Sequence, residues 1–343
     1  MHVYIHIIAW NERDYLPALL ESIEAQTYKN ITIRLLDNGS TDKTYDYIQQ
    51  HYPKNLVVRN NKNLGFAEGH NQLIRFTLDR APEGQDAAIL LANADMLIEP
   101  DAIEKMVKAF EKNVGAVQPK VYRAFGENIG DEYLGETVKS DIFDTTGLSV
   151  SKSWRMSDRG AGDMDTGQYD QKVDIFGAGG AMFMIPIHVV RDVMIDNDFF
   201  DSDFFAYRED CDLAWRLQKR KWKTVFVPNA IAYHYRGMYG AEKQSWKQRV
   251  KNRKGQSPFF AAYSTRNQLF VLFKNLTIGD LISGLPWIIL NEGGRVLYAF
   301  IFERQTRLRL VQGLGMMTKM FKKRRKILKR QLKPESEIRK YAQ

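Results

Sequence analysis

The sequence predicts an α/β protein, a mostly parallel sheet flanked by helices, with a basic helical extension towards its C-terminal end. Two observations predict it. Between residues 3 and 92, short apolar runs alternate with helical patterns, and each run delivers a polar cluster at its carboxyl end, as a parallel sheet built from crossover units requires. After Gly240 the texture changes to cations interleaved with aromatic and aliphatic residues.

Residues 3–9 read as the first strand, without the basic stretch and small-residue cleavage site of a signal peptide. Residues 15–25 carry Leu16, Leu19, Leu20 and Ile23 at the spacing of one helical face. Residues 31–36 form the next strand, 43–51 a helix, 56–59 a third strand, 69–78 a third helix and 87–92 a fourth, almost purely apolar strand. Residues 125–172 are rich in Gly, Asp, Ser and Thr without a sustained period, and are expected to be irregular. Order returns at 173–185 and continues through a helix over 212–219 and a strand over 223–227. The domain boundary is placed at Gly240, dividing residues 1–240 from 241–343.

With 343 residues, 44% hydrophobic and 27% charged, the chain can bury a sizeable core. Its length allows about two domains at roughly 150 residues each. This composition excludes disordered, collagen-like and disulfide-stapled classes. Cys211 is the single cysteine, so no internal disulfide can form and a cytosolic address is expected.

Charge is distributed unevenly. From residue 241 onward there are 23 Lys/Arg against 6 Asp/Glu, and before it 27 against 35, so an acidic body carries a basic tail. Such a tail suits an anionic surface, a membrane or a nucleic acid. Residues 319–330 hold 8 cations and no acid, and ahead of them lie Phe259-Phe260 and Trp287-Ile288-Ile289-Leu290. Apolar faces followed by clustered cations are the pattern of helices lying in the headgroup layer of an anionic membrane. The alternative is that the apolar stretches pack on the body and the basic run is a solvated helix. The acidic body and the lack of a nucleic-acid motif count against nucleic acid as partner. Residues 281–302 are interrupted by Pro286, Asn291, Glu292, Gly293, Gly294 and Arg295, and fall short of the run of about 20 apolar residues that spans a bilayer. No transmembrane helix is expected.

The polar clusters at the strand ends are where ligands bind in open α/β sheets. Asn11-Glu12 follows the first strand, Asp37-Asn38-Gly39-Ser40-Thr41-Asp42 the second, and Asn93-Ala94-Asp95 the fourth. Asp37 can accept hydrogen bonds from a base or ribose, or the turn can be a helix N-cap built on Ser40 or Asp42. Asp95 can supply one oxygen to a hard divalent cation that takes the rest from phosphates and water, or it can close an Asx-turn. Residues 200–217 pack five carboxylates among aromatics before a helix, where an apolar wall raises carboxylate basicity; acids at a helix start also simply complement its dipole. His234, after a strand and between Tyr233 and Tyr235, can be a metal or phosphate ligand or packed structure.

Taken together and in this order, these pieces resemble the inverting family 2 glycosyltransferases of the GT-A fold, a Rossmann-like α/β architecture. The resemblance rests on Asn11-Glu12, residues 36–42, 61–71, Asn93-Ala94-Asp95, 176–181, 204–212 and His234, and covers roughly residues 3 to 240. Within the family the rhamnosyltransferase-like branch is most similar. The resemblance implies that residues 1–240 form a catalytic nucleotide-sugar-binding domain and 241–343 a basic amphipathic helical region. It implies that Asp37 and Asn38 contact the nucleotide beside Asn11 and Glu12, and that Gly65, Gly69 and Asn71 lie under the nucleotide-sugar. Asn93 stands where the family has the first acid of an Asp-x-Asp. Asp95 would bind Mg²⁺ or Mn²⁺ on the diphosphate, supported by His234; Gly179 and Gly180 form the acceptor-side turn; Asp210 is the catalytic base. His70 and Glu68 stand where small residues or Asn are commoner, and Gln218 to Trp222 echo a processive-synthase signature only by chance.

The implied activity is non-processive, inverting transfer of a sugar, rhamnose from dTDP-rhamnose, to a lipid-linked saccharide in cell-surface polysaccharide synthesis. The address is the cytoplasmic face of the membrane, peripherally bound, with a homodimer as one assembly open to it. The alternatives are a UDP-hexose or UDP-N-acetylhexosamine transferase of the same fold, and a catalytically silent carbohydrate- or membrane-binding protein.

Overall fold

A computed structural model describes residues 1–53, 55–128, 134–235 and 257–342, the side chains of 126–128 and 134–136 excepted. The expected boundary at Gly240 lies outside the described residues. Strands β1 (His2–Ala9), β2 (Ile31–Asp37), β3 (Leu56–Arg59) and β4 (Ala87–Asn93) are parallel, in the order β4-β1-β2-β3. In β1 and β4, Val3, Ile5, Ile7, Ile89, Leu90 and Leu91 are fully buried, as strands covered on both faces must be. Helices α1 (Leu16–Glu24), α2 (Thr44–His51) and α3 (Gly65–Arg80) make the crossovers. Leu16, Leu19, Leu20 and Ile23 are the buried stripe of α1, as their spacing predicts. Parallel strands put their carboxyl ends on one edge, so Asn11, Asp37 and Asn93 gather there.

Beyond β4, a short β5 (Met96–Ile98) leads through α4 (Ala102–Lys108) to β6 (Val114–Asn128), which pairs antiparallel with β7 (Leu134–Thr145). A second hairpin joins β8 (Leu148–Val150) to β9 (Met156–Asp158). The stretch expected to be irregular is therefore mostly strand as far as Asp158 and irregular, as expected, over 159–172. Its alternation is illegible because β6 and β7 slip register between Val121 and Tyr122, between Tyr122 and Ala124 and between Gly126 and Asn128, and each slip breaks the period of two. After β10 (Asp174–Ile175) comes β11 (Met182–Pro186), antiparallel to β4, then α5 (Ile187–Val193), α6 (Glu209–Lys219) and β12 (Lys223–Tyr235). β12 runs parallel to β6 and antiparallel to β5, which sets His234 beside Met96.

Both α3 and α6 begin earlier than the apolar pattern indicates. Gly65 opens α3 at φ +85°, and Glu209 and Asp210 occupy the first turn of α6, where carboxylates complement the helix dipole.

The C-terminal helices are α7 (Pro258–Asn275), α8 (Ile278–Ile288), a π-helical turn (Ile289–Gly293), α9 (Gly294–Phe302), α10 (Arg304–Gly315), α11 (Met317–Lys329) and α12 (Glu335–Arg339). They share a core with the body: Phe270, Val271, Leu272 and Met320 pack with Trp154, Phe176, Phe204 and Trp215. The cation-rich α11 lies against the acidic body. Lys323 pairs with Asp201 and Asp203 at 2.5 and 2.6 Å, Lys319 with Asp203 at 2.7 Å, and Lys326 with Asp196. Three cations of the run expected to face a membrane thus have partners within the chain. No helix of the described residues is long and apolar enough to cross a membrane.

Candidate active site

The turn after β2 is built by its own side chains. Asp37 is fully buried; its Oδ1 accepts from the N–H of Ser40 at 3.1 Å, while Arg59 Nε stands 3.4 Å from Oδ2. Oδ2 accepts no hydrogen bond among the described residues, a buried acceptor available to a ligand donor. Asn38 joins the segments on either side: Nδ2 donates to Asn63 Oδ1 and to the Gly65 carbonyl, and Oδ1 accepts from the Leu64 N–H and Asn60 Nδ2. Asn11, at φ +57°, donates its N–H to Ser40 Oγ and accepts the Thr41 N–H at 2.8 Å. Asn11, Asp37 and Asn38 thus form one rim.

Three residues expected under the nucleotide are built into the framework. Asn71 is fully buried, and its amide accepts from the Phe199 and Phe200 N–H groups while donating to the Phe200 carbonyl. A Cβ on Gly65 would sit 2.4 Å from the Phe205 carbonyl oxygen, and one on Gly69 would sit 3.0 Å from Ile8 Cδ1. Both glycines admit protein atoms, Gly65 the 205 loop and Gly69 the sheet.

At the edge beside β4, His234 is clamped between carboxylates. Nε2 donates to Asp95 at 3.0 Å and Nδ1 to Asp144 at 2.8 Å. Burial alone would lower its pKa, but Asp95 and Asp144 outweigh it and raise it to about 10. The two bonds hold His234 against Asp95, the carboxylate it was expected to support at the metal. Burial, then the nearby Asp95 charge, pushes Glu12 up to about 8. This crowding of carboxylates is what a divalent cation would relieve. Among the described residues no three His, Cys, Asp or Glu side chains could hold an ion by themselves. The donor set therefore fits an ion that takes one or two protein oxygens and completes its shell with phosphate and water.

The base candidate lies on the same edge. Asn93 donates its N–H to the Ala181 carbonyl at 2.9 Å, and the preceding N–H, that of Gly180, donates to Asp210 Oδ2 at 3.2 Å. Gly179 N–H is held by Gln118 Oε1 at 2.8 Å. The loop leading to Asp210 is strained, with positive φ at Phe205, Tyr207 and Arg208. It is held from the C-terminal layer, where Asn267 Nδ2 stands 2.8–2.9 Å from the carbonyls of Phe204, Ala206 and Tyr207. Next to the base, burial and the Asp210 charge push the buried Glu209 up to about 8.

Sequence reading missed Asp144, Gln118 and Asn267. The first two lie on strands whose pattern is broken or unremarkable; a polar Arg266-Asn267 pair within an apolar helix was the available signal for the third.

The model of the family described as glycosyl transferase family 2 matches residues 4–164, and that of glycosyl transferase family group 2 matches residues 88–302. The chain is a family 2 glycosyltransferase. It is 24% identical over 237 residues to the N-acetylglucosaminyl-diphospho-decaprenol L-rhamnosyltransferase of Mycobacterium tuberculosis, covering 67% of this chain and 74% of that one. It is 25% identical over 235 residues to rhamnosyltransferase WbbL of Escherichia coli K12, covering 68% and 83%. The crystal structure of GalNAc-T7 with UDP, GalNAc and Mn²⁺ has the same fold, at a TM-score of 0.55 and 15% identity, over 80% of this chain and 48% of that one. The GT-A architecture of this glycosyltransferase agrees with the α/β class its sequence predicts.

Proposed function

We propose that this glycosyltransferase moves a sugar from a nucleotide diphosphate donor to a hydroxyl of a lipid-linked saccharide, with inversion, at a membrane surface. The observation that carries the reading is the placement of Asp210 and Asp95 on one sheet edge, joined through Gly180-Ala181 and Asn93. Asp210 takes the proton of the acceptor hydroxyl as that oxygen attacks the anomeric carbon, in a transition state with oxocarbenium character. The rim of Asn11, Asp37 and Asn38 holds the nucleotide, and Asp95, fixed by His234, faces its diphosphate. A divalent ion held at Asp95, Mg²⁺ or Mn²⁺, would act as a Lewis acid on the leaving diphosphate. The relatives named as rhamnosyltransferases favour dTDP-rhamnose as donor, with UDP-hexoses and UDP-N-acetylhexosamines as the second reading.

Attachment to an anionic membrane is assigned to the apolar face of α8 to α10. Ile282, Leu290, Phe302 and Leu314 are 69%, 70%, 69% and 71% exposed, with Trp287 beside them. Large apolar side chains this exposed on consecutive helices suit burial in a headgroup layer, and exposed Arg304 with half-buried Arg307 and Arg309 adds positive charge on α10.

The test is incubation of the purified chain with dTDP- and UDP-sugars and Mg²⁺ or Mn²⁺. Tight binding or slow donor hydrolysis with one sugar names the donor. No binding of any nucleotide diphosphate would leave the silent-protein alternative.

A further inference from the structure

The loop that delivers Asp210 is wound against its own backbone preference. Phe205 stands at φ +65° and ψ −66°, and the Ala206 N–H donates to the Phe204 carbonyl at 2.8 Å, so residues 204–206 form a γ-turn of the rare, strained hand. Tyr207 and Arg208 follow at φ +69° and +74°. Left-handed residues other than glycine are costly, and persist only where their surroundings over-determine them.

Here the surroundings are two helices. From α3, the Ala67 N–H donates to the Phe205 carbonyl at 3.1 Å. From α7, the fully buried Asn267 shares its two amide hydrogens among the carbonyls of Phe204, Ala206 and Tyr207, at 2.9, 2.9 and 2.8 Å. Its Oδ1 accepts from Nε and Nη2 of Arg266 at 3.0 and 2.8 Å, which fixes the way the amide faces. The same Nη2 donates to the Asp203 carbonyl at 2.7 Å. All the carbonyls from 203 to 207 are thus held, and all but that of Phe205 by one pair of neighbours on α7. Among the described residues, Nδ2 of Asn267 meets no acceptor outside this loop.

The far end of the loop is the first turn of α6, where Asp210 accepts the Gly180 N–H at 3.2 Å. If residues 205–208 relaxed to negative φ, that turn would have to shift or unwind, and Asp210 would be drawn from Gly180. An ordinary helix entry needs no such backing. The strain is concentrated on the residues that aim one carboxylate.

We propose that Asn267 is a positioning residue for the base: it holds the 204–208 loop in the strained form that sets Asp210 against Gly180. The C-terminal helical layer, and not residues 1–240 alone, then completes the catalytic site. This rests on the reading of Asp210 as the base of a transferase, and deepens it. Asn267 is buried away from solvent and acts only through the loop.

The test is a double-mutant cycle on the full chain, with Asn267→Ala, Asp210→Asn and the pair. Turnover is read as hydrolysis of dTDP-rhamnose, UDP-glucose or UDP-N-acetylglucosamine, water replacing the acceptor hydroxyl, and UDP affinity is read with Mn²⁺. Asn267→Ala should slow turnover about 10–100-fold and leave UDP affinity within about two-fold of wild type. Added to Asp210→Asn, it should slow turnover by less than about two-fold more, while lowering the melting temperature equally in both backgrounds. Amide hydrogen exchange reads the base without a donor: Asn267→Ala should speed exchange at Gly180 at least about ten-fold and spare Gly179, which Gln118 holds. Asn267→Ser, which keeps one donor, should give a smaller loss of the same kind and serves if the alanine variant does not fold. Undiminished turnover, an equal loss in both backgrounds, or Gly179 and Gly180 moving together would overturn the proposal. A wild type that neither binds UDP nor consumes a donor would instead strike the transferase reading, and the amide comparison would still decide whether Asn267 places Asp210.

Discussion

The backbone N–H of Gly180 donates to Oδ2 of Asp210 at 3.2 Å. Oδ1 of the same carboxylate accepts the Cys211 N–H at 2.7 Å. The two donors fix the orientation of the base at the edge where β4 ends. Asp210→Asn keeps the shape and removes the proton acceptor. Transfer should fall by about 10²–10⁴-fold, while UDP affinity stays within two-fold of about the wild-type value, since no nucleotide contact is assigned to Asp210. Single-turnover transfer and UDP titration check this; undiminished transfer rejects the base assignment.

Asn71 separates a framework role from a ligand role. Its side chain serves the backbone of Phe199 and Phe200, so Asn71→Ala strands two buried N–H groups at about 1–3 kcal/mol each. The expected outcome is a clear drop in thermal stability, with UDP affinity of the folded fraction little changed. A selective loss of UDP binding at unchanged stability would return Asn71 to the donor site.

The parallel half of the fold was legible because β1 and β4 are buried on both faces and therefore read as continuous apolar runs. The turn residues were legible as a group, since Asn11, Asp37 and Asn93 each follow a strand. Their individual work was not. Whether Gly65 admits a nucleotide or the Phe205 carbonyl depends on a loop 140 residues later in the chain. Likewise the clamp on His234 was hidden because Asp144 sits in a stretch with no readable period. The cations of α11 could be counted, but the carboxylates that answer them lie more than a hundred residues away.

That pairing has an acid limit. Asp201 is buried between Lys274 at 2.5 Å and Lys323 at 2.5 Å, and Lys274 also reaches Asp212 at 2.8 Å. Burial opposes ionisation of Asp201, but the two lysines outweigh it and hold its pKa far below the usual carboxylate range. A depressed folded-state pKa gives stability that is present above the unfolded value, about 3.9, and is lost as pH falls through the folded one. The C-terminal helices should therefore loosen below about pH 4, seen as earlier hydrogen exchange in α7 and α11 than in β1. Asp201→Asn breaks a buried ion cluster and should cost about 3–5 kcal/mol at neutral pH. An acid transition identical in the variant and the wild type would contradict this.

The internal use of α11 also changes what membrane attachment should depend on. If Lys319, Lys323 and Lys326 are occupied by Asp203, Asp201 and Asp196, the face left for lipid is the apolar one on α8 to α10. Removing Trp287, Leu290 and Phe302 together, each as Ser, deletes three side chains worth about 1.5–3 kcal/mol apiece when fully buried. Partial immersion still makes the summed loss exceed the 1.4 kcal/mol that corresponds to about ten-fold in affinity. Vesicle flotation should therefore fall at least about ten-fold, at any ionic strength. Lys322→Glu with Arg325→Glu, two exposed positions on α11, should weaken binding by less, and only at low salt. The reverse ranking, in which the charge variants release the protein and the apolar ones do not, would restore the basic helix as the anchor.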